Sequence, residues 1–307
     1  MLASDLAPWF VRGVALVFGA LWGSFFNVAI YRWPRGMSVV SPGSHCPACG
    51  APVRARHNVP VFGWLWLRGR AACCGASLPV RYPVVEALGA LLAWGVAERK
   101  LLGAPPGTFL DEALLESMLD FAFLGGLLVA AFVDLDWMEI PDEVSLPGAA
   151  LGLLTASLRS RGPGAEAAAL GAGLGFLIVQ VPFVWIYERL RGRRGMGEGD
   201  AKLLLFVGAF LGWKAVFFAL FAGAAQGLSY TAISLLMGWD PGARHRPNEG
   251  FEATSLAAGD EVPEGETRGG VGSLRVPFGP FLALGAAEYY FAGERILRTY
   301  LGWFEGG

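Results

Sequence analysis

Charge is what this sequence has least of. Only 16% of its 307 residues are Asp, Glu, Lys or Arg, whereas 54% are hydrophobic, and the mean hydropathy is +0.47. Soluble domains carry roughly 25% charged residues, so the composition excludes a soluble globular protein and predicts an all-α polytopic membrane protein. The net charge of −2 and the lack of a basic surface of the kind nucleic acid requires exclude nucleic acid as a partner. Cysteine is scarce too. The four thiols, Cys46, Cys49, Cys73 and Cys74, fall in one stretch, which suits a local metal knuckle and not a disulfide framework. The first 31 residues have no basic start and no small-residue cleavage site, so no removable signal peptide is predicted. Gly171, Gly173 and Gly175 loosely match a dinucleotide fingerprint, but no strand precedes them. Helix packing is their role in this reading.

What is abundant is long apolar segments. They run over about 9–31, 82–98, 117–134, 143–158, 165–188, 201–213, 215–238 and 276–303, predicting about eight transmembrane helices. Gly19 and Gly23 in the first form a small-xxx-small pair for helix packing. Between the first two spans lies a polar, cysteine-containing loop, 32–81, with seven arginines. The turn at 189–202 adds Arg189, Arg191, Arg193, Arg194 and Lys202, while the alternate loops hold only Arg99, Lys100, Arg159 and Arg161. The positive-inside rule therefore places the cysteine loop, the 189–202 turn and the 239–275 insertion in the cytoplasm. That insertion is rich in Gly, Pro, Glu and Ser without helical period and reads as a flexible loop. Trp9, Trp137, Trp213 and Trp239 sit at segment ends, as an interfacial belt places them. The division that follows is an N-terminal region, 1–98, and a membrane core, 117–303, interrupted by the insertion.

Two acidic settings carry the chemistry. In Gly195-Met196-Gly197-Glu198-Gly199-Asp200, a glycine-built turn delivers a carboxylate to the mouth of an apolar helix, where ionisable groups are costly and usually functional. The plain alternative is Asp at a helix start, favoured by the dipole. The second setting has five carboxylates in ten residues: Asp134, Asp136, Glu139, Asp142 and Glu143. An interfacial loop accounts for Asp136, Glu139 and Glu143, with Pro141 and Asp142 opening the next helix. Asp134 ends the apolar run 121–133 and points into the bundle. Two carboxylates at one site cannot both ionise cheaply, so one serves as acid and the other as base on a water between them. The spacing does not by itself bring Asp134 and Asp200 together. A scaffold or transporter whose carboxylates bind cations remains open. Lys202 either tunes Asp200 or snorkels at the interface, and Asp142 either positions the pair or starts a helix.

In chain order the sequence has Gly23-Ser24-Phe25, Asn27-Val28, Tyr31-Arg32, Cys46-Pro47-Ala48-Cys49, Asn58-Val59-Pro60 and Arg81-Tyr82-Pro83 with Glu86. After these come Asp134-Leu135-Asp136, Ile140-Pro141-Asp142, Gly197-Glu198-Gly199-Asp200-Ala201-Lys202 and Pro277-Phe278-Gly279-Pro280. This succession, spanning nearly the whole chain, resembles the bacterial type IV prepilin peptidases. The resemblance implies a GxGD-type aspartyl protease of the bacterial cytoplasmic (inner) membrane, with Asp200 and Asp134 as catalytic aspartates facing the cytoplasm. It implies removal of the basic leader of prepilins and pseudopilins, and N-methylation of the new terminus with S-adenosylmethionine. A peptidase without methyl transfer is the nearer alternative. No soluble methyltransferase motif is visible, so no S-adenosylmethionine contact is assigned. Relatives carry two Cys-x-x-Cys pairs resembling a zinc knuckle. Here the second pair reads Ala71 and Cys74 with an added Cys73. Zinc on Cys46, Cys49, Cys73 and Cys74 is the expectation, with His45 or His57 as substitutes for Cys73, or weak or no binding, left open.

Overall fold

A computed structural model describes residues 1–192, 195–238 and 276–293, with Arg295, Ile296 and Thr299. The 239–275 insertion, Trp239, Arg193 and Arg194 lie outside the described residues. The described chain is all-α, with no strand and only three isolated β-bridges. Its helices are α1 (Pro8–Arg32), α2 (Phe62–Trp66), α3 (Arg81–Ala97), α4 (Leu110–Trp137), α5 (Asp142–Thr155), α6 (Ala165–Val179), α7 (Tyr187–Arg191), α8 (Glu198–Leu211), α9 (Trp213–Leu236) and α10 (Gly279–Glu288). Among them α1, α4, α9 and the run Ala165–Arg191 are long and apolar enough to cross a membrane. Of the other four apolar segments, three match the shorter helices α3, α5 and α8, and the last, 276–303, contains α10 and runs on beyond the described residues. A π-helical stretch, Gln180–Ile186, joins α6 to α7; Pro182 within it cannot donate to the helical ladder.

Small residues set how closely the helices approach. A Cβ on Gly23 would stand 2.6 Å from the Glu86 Cα, and one on Gly89 would stand 2.6 Å from the Gly19 carbonyl oxygen. The pair in α1 is therefore the seat of α3. Likewise Gly171 and Gly175 of α6 face the backbone of α8, at Gly208 and Leu204, while Gly173 has nothing within 4 Å. Helix packing thus accounts for two of these three glycines. Within the bundle Phe123 stacks on Phe210 with ring centroids 4.8 Å apart, and Phe206 meets both edge-on.

The fourth helix begins earlier than the apolar pattern marks it, at Leu110 instead of 117. The added turns carry carboxylates that hydropathy reads as loop. Inside the fold one of them, Glu116, is neutralised, and so is Asp120 one turn further on. Glu116 is fully buried and accepts from Lys100 Nζ at 3.1 Å, Arg161 Nε at 2.9 Å and Ser160 Oγ at 2.8 Å. Asp120 accepts the Tyr290 hydroxyl at 2.8 Å and faces Lys100 at 3.2 Å and Arg159 at 3.8 Å. This network ties α4 to the chain after α3, to the α5–α6 loop and to the segment following α10.

The glycine contacts give a direct comparison. Ala in place of Gly gains up to about 1 kcal/mol of helix propensity, but forcing a methyl into a filled contact costs about 1–3 kcal/mol. Gly173→Ala should therefore hold or raise the thermal midpoint in detergent. Gly208→Ala, whose methyl meets the α6 backbone, should lower it.

Candidate active site

Three chain segments meet at one point. The last turn of α4 is closed by Met138, whose left-handed backbone (φ 54) lets its N–H bond the Asp134 carbonyl oxygen at 2.9 Å. The chain then runs extended through Ile140 and Pro141, and α5 opens at Asp142. From the second segment, Gly197 precedes α8, placing Asp200 in its first turn. The third is Pro277-Phe278-Gly279-Pro280, which leads into α10. Ile140 is the hinge of the three. A Cβ on Gly199 would stand 2.9 Å from the Ile140 Cβ, and one on Gly279 would stand 3.0 Å from its Cδ1. Both glycines are there because no side chain fits.

Asp134 and Asp200 are buried, at 5% and 9% exposure, and their carboxylates lie close enough to interact electrostatically. Asp134 is held by a glycine N–H: Gly279 donates to its Oδ2 at 2.9 Å. A methyl at position 279 would sit 2.8 Å from that same Oδ2. The Asp200 backbone N–H bonds the Gly197 carbonyl oxygen at 3.2 Å. The spacing alone left the meeting of the two aspartates open; the fold brings them together.

The remaining acidic residues separate cleanly from this pair. Asp136 turns outward to an ion pair with Arg81 of the N-terminal region. Beside it, Arg35 lies over the rings of Tyr31 and Trp137, 4.0 and 4.8 Å from their centroids. Glu139 and Glu143 are exposed. Asp142 does start α5, and its two carboxylate oxygens bond Lys202 Nζ at 2.6 and 2.8 Å. Lys202 therefore neither tunes Asp200 directly nor snorkels freely; it fastens the start of α8 to the start of α5.

The cysteines form a second cluster. Two hairpin-like knuckles repeat one hydrogen-bond pattern. The Cys46 N–H reaches Ala51 and the Gly50 N–H reaches Cys46; in the second, Ala71 reaches Ala76 and Gly75 reaches Ala71. Ala71 thus stands where Cys46 does, and Cys74 where Cys49 does. Cys73, one position earlier, supplies the fourth sulfur. All four Sγ atoms lie within 4.8 Å of one another, with Cys46–Cys74 at 3.8 Å, Cys49–Cys73 at 3.4 Å and Cys73–Cys74 at 3.9 Å. Tetrahedral zinc with bonds of about 2.3 Å separates its sulfurs by about 3.8 Å, so the donor set fits. Backbone N–H groups of Ala48 and Cys49 lower the Cys46 thiol to about 6. Hydrogen bonding to Cys49 and then Cys46 pushes Cys73 up to about 12, an arrangement that a bound cation would invert. His45 instead bonds the Gly43 carbonyl oxygen at 3.1 Å, and neither it nor His57 belongs to the cluster.

Two family models match separate stretches of the chain. Residues 17–99 match the model of the bacterial peptidase A24 N-terminal domain, and 121–232 match that of the type IV leader peptidase family. A protein of Aeromonas hydrophila named prepilin leader peptidase/N-methyltransferase is 31% identical over 321 residues, covering 96% of this chain and 95% of that protein. The chain belongs to the type IV leader peptidase family. A Klebsiella pneumoniae protein of the same name is 37% identical over 205 residues, 64% of this chain and 84% of that protein. No solved structure matches. Within this family frame Asp134 and Asp200 fall in the leader peptidase match, and the four cysteines fall in the N-terminal match. Sequence reasoning had marked the Pro277-Phe278-Gly279-Pro280 motif without giving it a task. Its conspicuous glycine between prolines was the signal for the N–H that holds Asp134.

Proposed function

We propose that this chain is a membrane aspartyl endopeptidase that removes the leader of prepilins or pseudopilins and N-methylates the new terminus. The observation that carries it is the pair of buried, interacting aspartates, Asp134 held by the Gly279 N–H, where three polar turns enter an apolar bundle. In this reading the pair holds one proton between its two carboxylates. The ionised one takes a proton from water as that water attacks the scissile carbonyl. The protonated one gives its proton to the departing amine. Gly279 fixes one oxygen of Asp134. S-adenosylmethionine would supply the methyl group for the new substrate terminus, a step assigned to the N-terminal region, where Cys46, Cys49, Cys73 and Cys74 would hold a structural zinc.

The finer topology belongs to the same proposal: eight spans, with the cysteine loop, the dyad and the insertion in the cytoplasm of a bacterial inner membrane. The count of Lys and Arg supports that orientation: the cysteine loop holds seven arginines, whereas the alternate loops hold only Arg99, Lys100, Arg159 and Arg161. The division into 1–98 and 117–303 follows the two activities.

Three measurements check the proposal. Asp134→Asn and Asp200→Asn should each lower leader cleavage at least about a thousandfold, because either change removes the acid or the base. Asp136→Asn should keep most of the activity, since an amide oxygen still accepts from Arg81. Metal analysis of protein purified without chelator should find one zinc per chain; Cys46→Ser or Cys74→Ser should lose it and impair methylation more than cleavage. A cysteine engineered near Glu252 should resist labelling from the periplasm of intact cells, and labelling there would reverse the topology.

A further inference from the structure

The short helix α2 presents its apolar face outward. Phe62, Leu65 and Trp66, at i, i+3 and i+4, share one side of the turn and are 70%, 55% and 83% exposed, with Val59 beside them at 46%. Trp64 turns the other way, its indole N–H bonded to the Leu78 carbonyl oxygen at 3.1 Å. Arg54, Arg56, Arg68 and Arg70 flank this face and are exposed, with no ion pair among the described residues. No carboxylate could give them one locally, because the sequence has no Asp or Glu from 6 to 85. An outward face of aromatic and aliphatic side chains with a purely cationic rim needs an amphipathic, anionic cover.

The depth of α2 says which cover that is. Val61, just before the helix, is the centre of a γ-turn with φ 62 and ψ −53, closed by the Phe62 N–H on the Pro60 carbonyl oxygen at 2.6 Å. This conformation is rare and strained for a β-branched residue and persists only where surroundings enforce it. Here the enforcing group is Glu86, whose carboxylate accepts the Val61 N–H at 2.6 Å. Glu86 lies five residues into α3, about 7.5 Å along the helix axis, at the level where α3 packs on Gly23 of α1. The entry to α2 is thereby pinned below the ends of the two helices that flank the loop. We infer that α2 is an interfacial anchor, seating Phe62, Leu65 and Trp66 at the headgroup boundary while Arg54, Arg56, Arg68 and Arg70 bind anionic phospholipid headgroups. Elements of this kind bury their apolar face 5–10 Å into that boundary, and basic residues beside it add attraction to an anionic leaflet.

The inference rests on α1 and α3 as spans, so its test carries a control for them. The full chain, with a benzophenone amino acid at position 66, 62 or 17, is reconstituted in vesicles of phosphatidylcholine alone or of an equimolar mixture with phosphatidylglycerol. It is then irradiated, and the adducts are identified by mass. Val17 is 62% exposed on α1 and should give lipid adducts in both vesicles at any salt; failure there overturns the span reading itself. Positions 62 and 66 should give phospholipid adducts several times more abundant in the anionic vesicles, falling towards the phosphatidylcholine level in high salt. Replacing the four arginines by Gln should abolish the difference, and the salt series on the unreplaced chain decides the matter even if that variant fails to fold. Equal yields in the two vesicles, an adduct to a second copy or another polypeptide, or none at these positions with Val17 still labelled, would overturn the anchor.

Discussion

A carboxylate kept inside an apolar bundle needs donors whose positions do not change, and the hydrogen bond from Gly279 to Asp134 supplies one from the far end of the chain. Much of the surrounding architecture can be traced to that bond. It requires the turn before α10 to come within contact of the last turn of α4, which in turn requires a residue without a Cβ at 279. Ile140 fills the remaining space and presses on Gly199, so the segment that presents Asp134 and the one that presents Asp200 cannot move independently. Burial in hydrocarbon raises the cost of leaving either group unpartnered. The bundle tolerates Asp134 because it has a backbone donor.

The N-terminal region is bound into the same arrangement by charge. Arg81 reaches Asp136, and Arg35 lies between Tyr31 and Trp137, so the turn that carries Asp134 is gripped on its outer side by residues from the other half of the chain. At the opposite end of α4 the Glu116–Asp120 network performs a similar service for the loops there. One helix thus has its two ends fixed by electrostatics and its middle by aromatic packing around Phe123. Each interaction uses the form suited to its surroundings: ion pairs where polar partners can converge, ring contacts where none can.

The sequence made legible what depends on composition and local order. Among the described residues the apolar runs coincide with helices, Asp142 opens α5, and Asp134 is distinguished from Asp136 by the direction of a single apolar stretch. What it concealed depends on distant partners. Hydropathy placed the start of α4 seven residues late, because Glu116 reads as exposed until Lys100 and Arg161 are seen beside it. The bond between Lys202 and Asp142 was hidden for the same reason, since each residue alone has a sufficient local explanation. Gly279 was visible only as a motif, because a backbone N–H leaves no trace in side-chain chemistry.

The two cysteine knuckles differ by one displacement: the hydrogen-bond pattern places Ala71 where a thiol stands in the other, and Cys73, two positions on and next to Cys74, restores the fourth sulfur. The backbone of each knuckle is closed by main-chain bonds that do not depend on which residue bears the sulfur. The fourth sulfur can therefore come from position 71 or from position 73 without altering the turn that carries it. What defines such a site is a constellation of sulfurs in space, and one fixed spacing along the sequence is not required to build it.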